Sequence, residues 1–337
     1  MKATKFLASG VSVILPTKSS PRVYLAINNS KIVIQSYKLY NPFSLKAKLL
    51  KSVTKFICIH FNSLAKTILP TIKHEISGFI QELETKLEQK LHSSVYFSTA
   101  NDKIVLQLQN NGEIIGYLKY AISSIGKQRI LNEQKAIELL TNLNIAPTLM
   151  HTGSYEQRPY IILENIEGSI GWVDDAEYSK VLKKFKKENK YLLKDHPRIL
   201  SLFAKLQELK IQDLYEKLLN EVENSNKMYY EVFEHGDFAP WNLIKLKDRV
   251  VAFDFEYFEE NGLQHLDEIK YHFQLNHLMH KKTGAELVQS ISNKIRLPEF
   301  NIIFLVFLVK EIVNNIEIDE PYDLESSLLH ILTLKAI

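Results

Sequence analysis

The run His235-Gly236-Asp237-Phe238-Ala239-Pro240-Trp241-Asn242, followed by the apolar segment Val250-Val251-Ala252-Phe253-Asp254-Phe255-Glu256, constrains this chain more than any other stretch. It sets an Asp, Asp237, an Asn five residues later, Asn242, and an Asp ending the next strand, Asp254, in one short segment of turn-forming loop and strand. Taken singly they would read as a helix cap and loop residues; in combination they read as a site. The composition can support such a site. The 337 residues are 45% hydrophobic and 24% charged, enough for one large domain or two smaller ones with real cores. A single cysteine, Cys58, excludes a disulfide scaffold. No apolar run approaches the roughly 20 residues of a membrane helix. The stretch Met1 to Pro16 is interrupted by Ser9, Gly10 and Ser12 with no convincing cleavage site, so a cytoplasmic location is expected.

Charge divides the chain. Residues 1–80 hold 12 lysines and arginines against one acid, Glu75, whereas the rest of the chain is net acidic. This predicts two modules with different surroundings. Residues 1–92 read as a basic extension. Short strands are expected over Val11 to Leu15, Val23 to Ile27 and Lys31 to Tyr37, then an amphipathic helix from Ser44 and a second helix over about Ile72 to Leu91. Residues 93–167 read as a small antiparallel sheet with one helix. Ile104, Leu106 and Leu108 alternate, and Asn111-Gly112 suits a two-residue hairpin turn. The return strand is Ile114 to Ala121, a helix covers about Lys127 to Leu143, and a strand covers Tyr160 to Leu163. Residues 168–337 read as mainly helical, with one hairpin over 242–256. The cleft between two such lobes would be a natural ligand site.

An Asp, an Asn five residues later and an Asp ending the next strand suit phosphoryl transfer, which needs in-line positioning and charge neutralisation more than covalent chemistry. Asp237 would orient an acceptor hydroxyl and take its proton late. Asn242 and Asp254 would hold Mg²⁺ through hard oxygen ligands on nucleotide phosphates. Strand alternation would place Glu256 on the same face as Asp254, as a second metal ligand or a group behind it.

HGDFAPWN followed by DFE resembles the catalytic loop and metal site of the aminoglycoside phosphotransferase and choline kinase group, within the protein-kinase-like superfamily. The resemblance covers roughly residues 93–280. It implies an α+β, two-lobed protein-kinase-like fold, here with an N-terminal extension. It also implies ATP or GTP as donor, Mg²⁺, and a small-molecule hydroxyl acceptor: a sugar, an aminosugar or an amino alcohol. Two further readings stay open, a catalytically silent kinase-like binding module and a protein kinase. HGD in place of HRD, and the lack of an APE-like segment after Asp254, count against the latter.

Lys119 and Glu133 supply a separate check. Ile130, Glu133, Ile137 and Leu140 share one helical stripe, where an unpaired carboxylate is costly. Lys119, in an apolar strand interior, has the same problem, and each answers the other. Kinase-like folds use such a pair to hold ATP phosphates. The hairpin over the nucleotide, Tyr96 to Lys103, contains no glycine, so Ser98, Thr99 and Asn101 would offer donors in its place. Glu164 and Ile166 resemble the hinge that meets adenine through main-chain groups. Asp267 resembles the family's structural aspartate that braces the catalytic loop; a solvent-exposed helix cap is an equally simple account. His235 reads as a structural hydrogen-bonding residue. Residues 254–268 hold six acids and no Lys or Arg, which suits either a cationic acceptor or a solvated surface.

No nucleic-acid reading module accompanies the basic region, so no specific nucleic acid is expected. Over residues 44–73, Leu49, Val53, Ile57, Leu64 and Ile68 lie beside Lys46, Lys48, Lys51 and Lys55. That pattern admits either packing on the lobes or peripheral contact with an anionic membrane surface.

Overall fold

The computed structural model describes residues 3–42, 44–98, 102–171 and 173–334. The chain divides into two units, residues 1–134 with 148–166, and residues 135–147 with 167–337.

The first unit opens with strands β1 (Gly10–Pro16) and β2 (Pro21–Ala26) and helices α1 (Ser30–Ser36), α2 (Leu45–His60) and α3 (Asn62–Ile68). Strand β3 (Thr71–His74), helix α4 (Gly78–Leu87) and strands β4 (His92–Phe97), β5 (Lys103–Asn110) and β6 (Glu113–Ala121) follow. Helix α5 (Ser124–Leu140) precedes strands β7 (Leu149–Tyr155) and β8 (Arg158–Glu164). The strands form one antiparallel sheet in the order β3-β1-β2-β4-β5-β6-β8-β7. The sheet was expected to be small and has eight strands, because the basic first 92 residues add their own strands to its edge through β2 and β4.

Alternation along β5 shows how this sheet is covered. Leu106 and Leu108 join Phe6, Phe79 on α4, Tyr120 and Tyr160 in an apolar cluster. Gln107 and Gln109, pointing the other way, donate to the Gln35 carbonyl and Ser36 hydroxyl of α1. The β5–β6 turn has Asn111 and Gly112 both at positive φ (50° and 84°), as a type I′ hairpin requires.

Two expectations for this unit fail. Lys31 to Tyr37 is not a strand but α1. The Asn29 side chain caps it by accepting from the Ile32 amide, and Ile32, Val33, Ser36 and Tyr37 bury one helical face, overriding the β-branched run. The second expected helix is split into β3 and α4, because Ser77 caps α4 only at Ile80 and Thr71–His74 pairs with β1.

The second unit holds strand β9 (Ser169–Ile170), helix α6 (Asp175–Phe185), strand β10 (Lys186–Leu192) and helices α7 (Pro197–Glu208) and α8 (Gln212–Glu223). Strands β11 (Met228–Glu234), β12 (Leu243–Lys245), β13 (Val250–Ala252) and β14 (Glu259–Leu263) follow. Helices α9 (Leu266–Gln274), α10 (Gly284–Ile295), α11 (Phe300–Glu317) and α12 (Asp323–Leu334) complete it. Helix α11 is buried along most of its length against α7, α8, α9 and α12.

The sequence reading allowed one hairpin here; the structure has two three-stranded sheets, β10-β11-β14 and β13-β12-β9. Strand β10 escapes a hydrophobic pattern search because it is a lysine-rich edge. The ammonium groups of Lys186 and Lys190 lie 3.4 and 4.1 Å from the Tyr230 ring centre, covering β11 with charge rather than with apolar side chains.

Candidate active site

The loop between β11 and β12 is fixed from three directions. Asp267, in the first turn of α9, accepts the amides of His235 (2.7 Å) and Gly236 (3.0 Å) on its two carboxylate oxygens. It is therefore the brace of the loop and not an exposed cap. Burial first, then the charge of Glu234, pushes its carboxyl up to about 7, against the pull of Lys310 and the two amides. His235 packs against Phe255 with the rings tilted by 40°, its Nε2 3.0 Å from the Phe253 carbonyl and its Nδ1 3.3 Å from the Asp237 amide. These contacts make it a structural donor and acceptor. Gly236 has φ +80°, and a Cβ there would stand 2.1 Å from the Tyr257 carbonyl oxygen, so only glycine fits.

This frame presents Asp237. Asn242 Nδ2 donates to the Asp237 carbonyl (2.9 Å) and to its Oδ2 (3.0 Å). Its side-chain carbonyl is thereby left as the atom suited to a cation. Burial pushes the Asp237 carboxyl above the usual range; Lys270 pulls it down, Glu311 and Asp254 push it up, and the Asn242 bond lowers it. The side chain nevertheless keeps 28% of its surface exposed, so solvent reaches it.

Asp254 departs from the expected geometry. Strand β13 ends at Ala252, and Asp254 takes a left-handed conformation with φ 69°. Alternation therefore cannot place Asp254 and Glu256 on one face. Glu256 instead lines a cavity of 220 Å³ together with Asp237, Tyr257, Lys270, Glu311 and Asn314. A non-glycine residue at positive φ is a strained arrangement that concentrates at functional sites. Asn242 and Asp254 fit Mg²⁺, which takes one or two protein oxygens and completes its shell with water and phosphate. Among the described residues no group of three His, Cys, Asp or Glu side chains forms a cage for a metal.

Behind the loop runs a chain of alternating charges that motif reading missed. Glu259 meets Arg198 (3.0 Å), Arg198 meets Glu234 (3.5 Å), and Glu234 meets Lys310 (3.0 Å). Lys310 meets Glu311 (3.2 Å), Glu311 meets Lys270 (2.5 Å), and Lys270 lies 3.6 Å from Asp237. Burial pulls the Lys270 ammonium down, but Glu311 and Asp237 more than restore it and raise it above the usual lysine range. Lys310-Glu311 interrupts the apolar core of α11, and that interruption is the signal a sequence reading could have used. The acidic stretch is also accounted for. Glu259 pairs with Arg198, Glu260 with Lys135 (2.7 Å) and Glu268 with His265 (3.0 Å), while Asp267 holds the loop.

The first unit carries the other expected residues. Lys119 Nζ lies 2.7 Å from both oxygens of Glu133, with both side chains almost wholly buried. Lys119 sits on β6 opposite Val105, on the face away from Leu118 and Tyr120, and Glu133 comes from α5. Ser98 Oγ donates to Asp102 (2.6 Å), which also binds Arg129 (2.5 Å), so the Ser98 proton is already engaged. Burial raises the Asp102 carboxyl, but Ser98 and Arg129 outweigh it and hold it below its usual range. Thr99 and Asn101 lie outside the described residues. Glu164 ends β8, accepting the Thr148 amide on Oε1 (2.9 Å), and Ile166 is half-buried just beyond.

No family model and no curated protein matches the sequence. Solved structures do match. A thermostable mutant of the aminoglycoside phosphotransferase APH(4)-Ia, in apo form, aligns at a TM-score of 0.51 and 11% identity, covering 76% of this chain and 99% of that one. A ternary complex of a variant of the same protein with ADP and hygromycin B aligns at 0.52 and 10%, covering 76% and 98%. An ethanolamine kinase from Plasmodium vivax aligns at 0.47 and 14%, covering 91% and 94%. This chain has the protein-kinase-like α+β fold. Within that class, the fold is the one seen in the aminoglycoside phosphotransferase.

Proposed function

We propose that this chain is a small-molecule kinase of the aminoglycoside phosphotransferase and choline kinase group, transferring the terminal phosphoryl of ATP to a hydroxyl. The observation that carries the reading is Asp237: a carboxylate held by Asn242 on a loop braced by Asp267, reachable by solvent, at a polar cavity. The acceptor O–H proton passes to the Asp237 carboxylate as the oxygen bonds to phosphorus and the bond from phosphorus to the β-phosphate oxygen breaks, releasing ADP. Mg²⁺, held by Asn242 and Asp254, would neutralise charge on the phosphate oxygens. Lys119, steadied by Glu133, supplies a cation for the nucleotide phosphates, and Glu164 to Ile166 supply main-chain groups for the base.

The cavity favours a compact, hydroxylated acceptor. Its volume of 220 Å³ suits one ring or an amino alcohol, and its side-chain groups are nearly all polar. Asp237, Glu256 and Glu311 outnumber Lys270 there, which favours a neutral or cationic molecule over an anionic one. The test is nucleotide turnover with amino alcohols, aminosugars, neutral sugars and sugar phosphates. Phosphorylation of a neutral or cationic acceptor is expected; turnover confined to sugar phosphates would overturn the acceptor assignment.

A further inference from the structure

Helix α2 buries one side and leaves another exposed. It packs on the sheet through Ile57 of the apolar row picked out by its sequence, but not through Leu49 or Val53. The packed side is Leu50, Thr54, Ile57 and Cys58, with Ala65 of α3, against Val13, Leu15 and Leu25. Leu45, Leu49, Val53 and Phe56, spaced by 4, 4 and 3 residues, form a separate row that is 48–82% exposed. Phe61, Leu64 and Ile68 continue the row along α3, each more than half exposed. Phe56 bridges the two helices through ring contacts with His60 (4.6 Å) and Phe61 (6.2 Å). Singly exposed apolar residues are ordinary, whereas seven in one continuous row are not.

Charge runs beside this row. Lys48, Lys51 and Lys55, spaced by 3 and 4, form a parallel line one step around α2, and Lys46 stands on the opposite flank. Lys51 also donates to Asn41 (2.9 Å). Between Met1 and Glu75 the chain contains no acid at all, so nothing local opposes these lysines. No helix among the described residues is long and apolar enough to cross a membrane. An apolar row flanked by lysines, on a helix of about 24 Å, has the arrangement of a segment lying in the plane of a bilayer surface.

We propose that α2 and α3 dock the protein on an anionic lipid surface, with the Leu45-to-Ile68 row entering the headgroup boundary and the flanking lysines meeting acidic headgroups. An anionic bilayer is the occupant chosen because the face combines a long, shallow apolar row with charge of one sign. The inference does not depend on the kinase reading.

The experiment is flotation of the full chain with vesicles of phosphatidylglycerol and phosphatidylcholine, and with phosphatidylcholine alone, at low and high salt. Binding is expected to the anionic vesicles only and to weaken with salt. Lys48→Gln/Lys51→Gln/Lys55→Gln should lower partitioning on the order of 100-fold, since each basic residue near such a surface contributes about fivefold. Leu49→Ser/Val53→Ser/Phe56→Ser should also release the protein, and because these three side chains are exposed this variant should melt like the parent. Absence of vesicle binding at low salt would overturn the proposal. So would binding that survives both sets of substitutions, or self-association through the serine-sensitive row without lipid binding.

Discussion

In the first unit one lysine and one glutamate neutralise each other, Lys119 from β6 and Glu133 from α5, at 2.7 Å. In the second, seven side chains alternate in sign from Glu259 through Arg198, Glu234, Lys310, Glu311 and Lys270 to Asp237. Both arrangements keep charge inside a protein, where it survives only when paired. The difference lies in where they end. The pair spans two neighbouring elements, β6 and α5, within one unit. The ladder is open, and its last member is the carboxylate assigned to the chemistry. Its interior groups each face two partners, so removing any one of them takes a partner from two neighbours.

The largest effects should come from the open end. Asp237→Asn and Asp254→Ala should each lower turnover roughly 10²-fold or more while leaving the fold intact, by the usual worth of a base or a charge-stabilising group. Steady-state kinetics beside circular dichroism would check this. Next comes the interior. Lys310→Met removes the cation shared by Glu234 and Glu311, leaving each with one partner, and should cost about 3–5 kcal/mol in denaturant melts. Lys119→Met should cost stability and productive nucleotide binding together, but adding Glu133→Leu should return the stability and not the binding. A melt in which the double substitution of the pair is no more stable than Lys119→Met alone would show that Glu133 is not the charge Lys119 neutralises.

A smaller and more specific effect is expected in pH dependence. Asp237 must be ionised to accept a proton, so activity falls as pH drops through its pKa, which burial holds above the usual carboxylate range. Lys270 pulls that pKa down. Lys270→Met should therefore shift the acid limb of kcat/KM to higher pH, and an unmoved limb would detach the ladder from the reacting group. The smallest effect belongs to the first unit. Ser98→Ala removes one buried hydrogen bond to Asp102 while Arg129 remains, for a loss of about 1 kcal/mol.

The same contrast explains what could be read in advance. Lys119 and Glu133 lie 14 residues apart, on adjacent elements with clear periods, so two misplaced charges pointed to each other. Asn111-Gly112 fixed its hairpin through backbone chemistry alone. The ladder was hidden because its members come from α7, β11, α9 and α11, and Arg198 and Lys310 are 112 positions apart; only tertiary packing brings them to Glu234. Strand β10 was hidden because lysines over Tyr230 do the covering that apolar side chains usually do. The face that Glu256 occupies is not legible from a period of two, because the strand ends at Ala252 and the backbone turns left-handed at Asp254.

The central claim is that Asp237 takes the proton of an acceptor hydroxyl during phosphoryl transfer from ATP. Its most direct test is detection of phosphorylated product by mass spectrometry, with Mg²⁺ and ATP against amino alcohols, aminosugars and neutral sugars, for the parent protein and Asp237→Asn. The account predicts product and matching ADP from the parent with at least one of these acceptors, and roughly 10²-fold less or lower still from the variant. Comparable product from both proteins, or none from the parent across the whole panel, would contradict it.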